Sequence, residues 1–268
     1  MIIDHDVHLH TTLSSCCDDK RQTPAVVLER ARRLGLKTVG FANHLWDPAV
    51  PGPSDWYIPQ TLDHVLEIRR QLPADTGGLR VLIGCESEYC GGGKVGITRA
   101  GAAKLDYVLI PAHHFHMPGF TVPADLRQAG SDVVAELVAQ RFDELVALGL
   151  ITGVAHPFVV LGFLDRLDDI LSRIPDERFL DSFGRAAAAG VSIEMHAGMF
   201  PGPHPPAGHA YGDETFLRIM SLAYRAGCRF HFGSDAHDPE AMDGILKLGE
   251  YADMIGIDVD DVHPAFRS

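Results

Sequence analysis

The chain has 268 residues, 46% of them hydrophobic, and its 36 acidic against 23 basic residues give a formal net charge of −13. This composition can supply a full hydrophobic core, and it excludes the basic surface typical of nucleic-acid-binding proteins and of polybasic membrane anchors. We expect no N-terminal signal segment, because the first residues lack its apolar run, and no apolar run approaches the roughly 18 residues that span a bilayer. Because the five cysteines have no framework spacing, we expect reduced thiols in a cytoplasmic protein. The acidic charge and the short apolar runs lead us to expect no nucleic-acid or membrane partner. The sequence leaves the oligomeric state open.

Segments with the character of strands and of helices alternate along the chain. The predicted strands lie at 1–7, 37–43, 80–86, 106–112, 151–156, 191–196 and 228–235. The predicted helices lie at 24–34, 61–73, 131–148, 176–189 and 214–226, and a last one begins at Asp238 and Pro239. Thr23 and Ser131 carry the side chains that cap helix starts.

Seven strand-then-helix units without a compositional break imply a parallel sheet. Polar side chains at the strand ends favour a closed barrel over an open sheet. We therefore predict an α/β protein with a (β/α)7 barrel, formed as one domain by residues 1–268. Two loops rich in proline and glycine, 47–59 and 198–212, each follow a strand and are expected on the same rim.

The 15 histidines are not scattered, because each predicted strand ends in side chains that can bind a metal ion. These side chains are His8 and His10, His44, Glu86, His113 and His114, His156, His196, and Asp235 with His237. Taken singly, each has an ordinary explanation: Asp235, for example, could cap a helix. Because the carboxyl ends of parallel barrel strands form one rim where active sites sit, the coincidence predicts a metal site there.

The residue types indicate which ions would bind. Imidazole and carboxylate together suit zinc, iron or manganese, and the scarcity of thiolates argues against a structural zinc cluster. The ligands are too many for one ion, so we expect two or three ions with a bridging carboxylate. Clustered divalent ions activate a bound water and hold both oxygens of a displacement at phosphorus.

Six motifs, in order along nearly the whole chain, resemble those of the polymerase-and-histidinol-phosphatase (PHP) superfamily. They are DVHLHTT at 6–12, NH at 43–44, GCE at 84–86, AHHF at 112–115, GVAHPF at 153–158 and GSDAHDPE at 233–240. The chain length is similar to that of the histidinol-phosphate phosphatases of this family. The resemblance implies a distorted seven-unit barrel with a site for two or three metal ions.

The resemblance also implies which residues hold each ion. The first ion would take His8, His10, Glu86 and Asp235; the second Glu86, His114 and His156; the third His44 and His237 with one ligand from the loop after His10. The family often has a histidine at that last position, and this sequence has Cys16. We expect Cys16, or Asp18 in its place, to complete the third set; if neither residue binds, the third site is expected to be weak or empty. His113 is expected to face the barrel exterior, and Glu88 to support the ligands or to be solvated.

The implied reaction is hydrolysis of a small phosphomonoester by a hydroxide that bridges two ions, with histidinol phosphate the favoured substrate and histidine biosynthesis the setting. Glu86 and Asp235 would hold the ions, while His237, His196 or a water on the third ion would protonate the departing alkoxide. Arg99 and Arg166 are candidate phosphate contacts. The aromatic and histidine side chains in and beside the two long loops are expected either to wall the substrate pocket or to pack the loops on the barrel: Trp46, Trp56, Tyr57, His204, His209 and Tyr211.

Three alternatives stay open. The chain could be a PHP phosphodiesterase acting on nucleotides or cyclic phosphates, an amidohydrolase-type enzyme acting on C–N or C–O bonds, or a metal-retaining accessory module without activity. Amidohydrolases usually bridge their ions with a modified lysine after strand four, whereas Lys104 here precedes that strand. The near-complete ligand set argues against an inactive module.

Overall fold

The structure, a computed structural model, describes residues 1–204 and 206–267. Position 205, in the predicted loop 198–212, and position 268, at the end of the predicted domain, lie outside the described residues.

Seven parallel strands form the centre of the fold, and their order in the sheet follows the chain. The strands of this sheet are β1 His5–Leu9, β2 Thr38–Phe41, β3 Arg80–Glu86, β6 Tyr107–Pro111, β7 Gly153–Ala155, β8 Ser192–His196 and β9 Phe230–Gly233. Two short strands between β3 and β6, β4 Tyr89–Gly91 and β5 Lys94–Val95, form a separate hairpin. The first and last strands meet, because the amide of Asp235 donates to the His8 carbonyl at 2.8 Å and that of His10 to the Ala236 carbonyl at 3.2 Å. The sheet is therefore nearly closed, and the predicted (β/α)7 barrel is confirmed.

Helices connect the strands on the outside of the barrel. They are α1 Pro24–Arg33, α2 Leu62–Leu66, α3 Ile68–Gln71, α4 Arg99–Ala102, α5 Ser131–Ala147, α6 Leu167–Ser172, α7 Asp176–Ala189, α8 Asp213–Arg225 and α9 Leu248–Ile255. Local chemistry explains their ends: the Thr23 side chain accepts a hydrogen bond from the amide of Val26 with Pro24 in the first turn, and Gly190 ends α7 at a φ of 68°. No helix among the described residues is both long and apolar enough to cross a membrane.

Several elements differ from their sequence-based predictions. The helix expected at 61–73 is two short helices that meet at Glu67, and the helix after Asp238 starts as a 3-10 turn over Ala241–Lys247. Gly130, not Ser131, occupies the cap position of α5. The hairpin of β4 and β5 was not predicted; glycines at 91 to 93, all with positive φ, form its turn.

Tyr107 fills the barrel interior at the end opposite the carboxyl rim. Its hydroxyl crosses to β1 and donates to the Val7 carbonyl at 2.7 Å. Space for its ring depends on Gly84, where an added Cβ would lie 2.5 Å from the ring, and on Gly40, where it would lie 2.6 Å from the hydroxyl. Because Tyr107 fills this end of the barrel, the space at the carboxyl rim is available to polar side chains.

Candidate metal centre

Glu86, the last residue of β3, is the point on which the other strand ends converge. It is only 2% exposed, and histidine side chains surround both of its carboxylate oxygens. Its Oε2 lies 3.4 Å from His8 Nε2, 3.4 Å from His10 Nε2 and 3.2 Å from His44 Nδ1, and its Oε1 lies 3.1 Å from His156 Nε2 and 3.7 Å from His114 Nε2. One carboxylate is thus shared by five imidazoles from four separate segments of the chain.

The candidate ligand atoms fall into three groups, within each of which they all lie within 4.8 Å of one another. The groups are His8, His10, Glu86 and Asp235; Glu86, His114 and His156; and His10, Cys16, His44 and His237. Glu86 belongs to the first two groups, and His10 joins the third as well as the first. The three groups contain the side chains that the sequence resemblance assigns to three ligand sets, with His10 added to the third.

The loop after β1 brings Cys16 to the rim and leaves Asp18 outside. Cys16 Sγ lies 2.9 Å from Nε2 of His237. A turn in which the amide of Cys17 donates to the Ser14 carbonyl at 3.0 Å directs the chain outward, so that Asp18 is exposed and belongs to none of the three groups of described residues. The expectation that Asp18 could replace Cys16 is therefore not supported by the geometry.

The rings of the rim histidines are oriented by hydrogen bonds at their second nitrogen. Nδ1 of His8 lies 2.8 Å from Glu194 Oε1, and Nδ1 of His114 lies 2.8 Å from Glu88 Oε2. Nδ1 of His10 lies 3.0 Å from the Ser14 hydroxyl. A second-nitrogen bond of this kind fixes which nitrogen a metal-binding histidine offers to its ion.

The ligand atoms that face Glu86 include several with no hydrogen-bond partner of their own. Nε2 of His8, Nε2 of His10, Nδ1 of His44 and Oδ1 of Asp235 are buried and unpartnered among the described residues. Buried polar atoms without partners are costly, and bound cations would satisfy all four. The donor set of imidazoles and carboxylates is the one that zinc, iron and manganese accept, so these residues fit the implied ions.

The charge state of the centre also suits cations. Burial alone would raise the pKa of Glu86, but the charges of His44 and His8 hold that pKa well below its usual value, so the carboxylate is ionised at neutral pH. Burial, together with the charges of Glu86 and Asp235, raises the pKa of the Cys16 thiol. A thiolate at position 16 therefore needs a bound cation to displace its proton.

Two candidate ligands have unusual backbone conformations. His156 has a φ of 25° and Asp235 a φ of 55°, although neither is glycine. Such conformations cost on the order of 1–3 kcal/mol each and persist where the surrounding structure holds them. Glu194 provides part of this support, because its second carboxylate oxygen accepts a hydrogen bond from the amide of His156.

His196, predicted to face the rim, lies beside the first group without belonging to it. Its Nε2 is buried and unpartnered, 3.6 Å from Asp235 Oδ2, and its Nδ1 accepts a hydrogen bond from the amide of Gly198. Both nitrogens of His237, in contrast, have neighbours: Nδ1 donates to the Asp235 carbonyl at 2.7 Å, and Nε2 faces Cys16. His113 points away from the rim, where its Nε2 donates to the Val138 carbonyl of α5 at 3.0 Å.

Glu194 has a role in the site that its sequence context did not reveal. It is fully buried in β8, and the nearby charge of His8 outweighs the effect of burial and lowers the pKa of its carboxyl to about 2. The signal available in the sequence was an acidic residue between Ile193 and Met195 in the middle of a predicted strand. Glu88, left open as supporting or solvated, is buried and holds His114.

A cavity of about 540 Å³ opens above the centre. Loop 47–59 contributes Trp56 and Tyr57 to its lining as expected, whereas loop 198–212 contributes none of its described residues; the other wall comes from 116–120 and Leu161. The candidate phosphate contacts Arg99 and Arg166 do not line it either. Their guanidinium groups bind main-chain carbonyls, at Leu148 and Gly149 and at Arg127 and Ala129 respectively.

Comparison with known proteins shows a shared fold. No family model and no curated protein sequence matches the chain. The solved structure of histidinol phosphate phosphatase from Lactococcus lactis subsp. lactis Il1403, complexed with zinc, L-histidinol and phosphate, aligns with a TM-score of 0.66 at 15% identity over 96% of this chain and 95% of that one. N-isopropylammelide isopropylaminohydrolase from Burkholderia multivorans ATCC 17616 aligns with a TM-score of 0.44 at 16% identity over 98% of this chain and 70% of that one. The first alignment agrees with the PHP-type barrel that the sequence motifs imply.

Proposed function

We propose that this chain is a metal-dependent phosphoesterase that hydrolyses a small phosphomonoester, with the whole chain acting as one barrel domain. The observation that carries the proposal is the convergence of five histidines on the two oxygens of Glu86. A buried carboxylate surrounded in this way is suited to bridge two cations. Similarity of fold to a zinc-containing phosphatase supports the same class of reaction.

In this proposal His8, His10, Glu86 and Asp235 hold one ion and His114 and His156 share Glu86 around a second. Cys16, His44 and His237 hold a third. When bound, divalent ions at these positions supply an activated water and neutralise the phosphoryl oxygens. This role is compatible with the acidic composition, because the ions outweigh the two ligand carboxylates locally.

Residues next to the proposed ligands fix the orientation of the histidine rings. Glu194, Ser14 and Glu88 each fix the ring of one histidine, so that the nitrogen facing Glu86 does not change. Of the two histidines that could donate a proton, His196 has an Nε2 without a hydrogen-bond partner. Both nitrogens of His237 have partners, the Asp235 carbonyl and the Cys16 thiol. We therefore assign protonation of the departing alkoxide to His196 Nε2.

Hydrolysis of C–N bonds is the alternative that the rim favours less. None of the described residues that line the cavity above the centre is a lysine, the residue that amidohydrolases modify to bridge their ions. Nucleotides and cyclic phosphodiesters remain alternatives of substrate within the same chemistry. Histidinol phosphate is the substrate that the sequence resemblance favours.

The test is phosphate release from a panel of esters by protein loaded with zinc or manganese. The panel contains histidinol phosphate, other small monoesters, nucleotides and cyclic phosphodiesters. The proposal predicts release from at least one monoester, abolished in the Glu86→Ala protein. If protein with its metal content verified releases phosphate from none of them, the proposed reaction is wrong and C–N hydrolysis takes its place.

A further inference from the structure

The cavity above the metal centre has a polar floor and an apolar wall. Its floor consists of the metal-binding groups, and its wall consists of Trp56, Tyr57, Met117, Phe120 and Leu161. The aromatic side chains contact one another, with ring centres 4.8 Å apart for Trp56 and Tyr57 and 6.0 Å apart for Tyr57 and Phe120. An ester bound with its phosphate at the floor would place its alcohol portion against this wall.

Among the described residues that line the cavity, those of the apolar wall carry no formal charge. The only carboxylates there are Glu86 and Asp235, both in the ligand groups, and the lining contains no lysine or arginine. The Lys94 ammonium lies 5.7 Å from the centre of the Phe120 ring, but it donates to the Gly52 carbonyl and does not line the cavity. No charged side chain is therefore left to pair with a charge on the alcohol portion.

Few polar groups on the wall are free to bind the substrate. The Tyr57 hydroxyl donates to Glu88 Oε2 at 3.1 Å. The Ser54 hydroxyl is buried and has no partner, and His116 adds an imidazole. The wall can therefore offer a substrate one hydroxyl and one ring nitrogen beside a large apolar surface.

We propose that the physiological ester carries an uncharged, largely apolar alcohol portion, aromatic or branched, a proposal that rests on the proposed phosphoesterase function. Burial of apolar area against the wall would favour such a group. An ammonium would be desolvated without a carboxylate partner and would also be repelled by the metal ions below it. Histidinol phosphate, which carries an ammonium, is then a poor substrate, in contrast to the expectation from sequence resemblance.

Three primary alkyl monoesters test this directly: 3-phenylpropyl phosphate, phenylalaninol phosphate and histidinol phosphate. The first two differ by the ammonium alone. We expect kcat/KM of the metal-loaded protein to be at least about tenfold higher for 3-phenylpropyl phosphate than for either ester with an ammonium. Equal or higher kcat/KM for phenylalaninol or histidinol phosphate would overturn the inference.

A pair of variants at Met117, which is partly exposed, separates charge from shape. Met117→Glu places a carboxylate on the wall, and Met117→Gln is its neutral control of nearly equal size. Met117→Glu should reduce the preference for 3-phenylpropyl phosphate over phenylalaninol phosphate by about fivefold or more, and Met117→Gln should leave it unchanged. An equal change in both variants would contradict an electrostatic origin of the preference.

Binding of non-hydrolysable analogues distinguishes failure of this inference from failure of the proposed function. The probes are 4-phenylbutylphosphonate and its 3-amino derivative, titrated calorimetrically into metal-loaded protein. If no ester is hydrolysed but the uncharged phosphonate binds at least about tenfold more tightly, the proposed reaction fails and the inference about the wall stands. If the amino derivative binds as tightly or more tightly, the inference fails whatever the reaction.

Discussion

The carboxylate of Glu194 connects two strands of the candidate metal centre, with Oε1 lying 2.8 Å from Nδ1 of His8. Its other oxygen accepts a hydrogen bond from the amide of His156, whose φ of 25° is unusual for a residue other than glycine. One buried acid in β8 thus orients a candidate ligand on β1 and holds the backbone of a candidate ligand after β7. We regard Glu194 as a positioning residue that does not itself bind an ion.

Glu194→Gln tests that role. The amide keeps the size of the side chain but removes the negative charge that His8 faces, so metal affinity should fall by about 10- to 100-fold. Competition with a chromogenic chelator measures the affinity. The same substitution at Glu177, an exposed residue of α7, serves as the control and should have no effect. Unchanged affinity in Glu194→Gln would show that His8 does not depend on this carboxylate.

Glu86→Ala removes the carboxylate shared by two ligand groups. Bound metal and turnover should both fall by orders of magnitude, because two cations would lose their common ligand at once. Elemental analysis of purified protein and phosphate release from the best ester measure the two effects. Glu250→Ala, at an exposed site on α9, is the control. A Glu86→Ala protein with wild-type activity would refute the site assignment.

Cys16→Ala tests the third group. With Cys16 Sγ placed 2.9 Å from His237 Nε2, its loss should release the third ion while the other two remain bound. Metal content per chain, measured by elemental analysis, reports the loss. Cys90→Ala changes another partly buried thiol outside the ligand groups and should retain every ion. Retention of the third ion in Cys16→Ala, with its loss in Asp18→Asn, would transfer the ligand role to Asp18.

Stability should depend on pH through His231, a fully buried residue of β9. Burial lowers the pKa of His231 to about 3, below the ordinary value of 6.5, so the unfolded chain takes up a proton there before the folded chain does. Its contribution to the free energy of unfolding is therefore complete above pH 6.5 and declines as the pH falls toward 3, by at most about 1.4 kcal/mol per pH unit.

His231→Gln removes this titration and serves as the comparison. Denaturant unfolding of both proteins at several pH values should show wild-type stability falling faster than that of the variant below pH 6.5. Parallel pH profiles for the two proteins would mean that His231 is not the group that titrates.

Much of the architecture follows from local sequence signals. Alternation of apolar strands with capped helices predicts the barrel, and the position of a histidine or an acid at each strand end predicts one rim. His8, His114 and Asp235 could be placed there because each lies at or just after the end of a predicted strand, 1–7, 106–112 and 228–235 respectively. The carboxyl ends of parallel strands then necessarily meet.

Other features depend on contacts between distant segments, which no local pattern carries. Glu194 lies 186 residues from His8 along the chain, and only closure of the barrel brings them together. Arg99 and Arg166 were candidate phosphate contacts because of their positive charge. Their guanidinium groups instead donate hydrogen bonds to main-chain carbonyls of other segments. The wall of the cavity comes partly from Met117 and Phe120, because the chain after β6 turns back over the rim.

Bound metal should drive hydrolysis of a phosphomonoester at the centre around Glu86. The most direct measurement is phosphate release from the best monoester during stepwise removal of metal by a chelator and its stepwise return, with metal content determined on the same samples. Turnover should disappear as the ions leave and recover as zinc or manganese is restored. Hydrolysis that persists in metal-free protein, or fully loaded protein that releases no phosphate, would contradict this prediction.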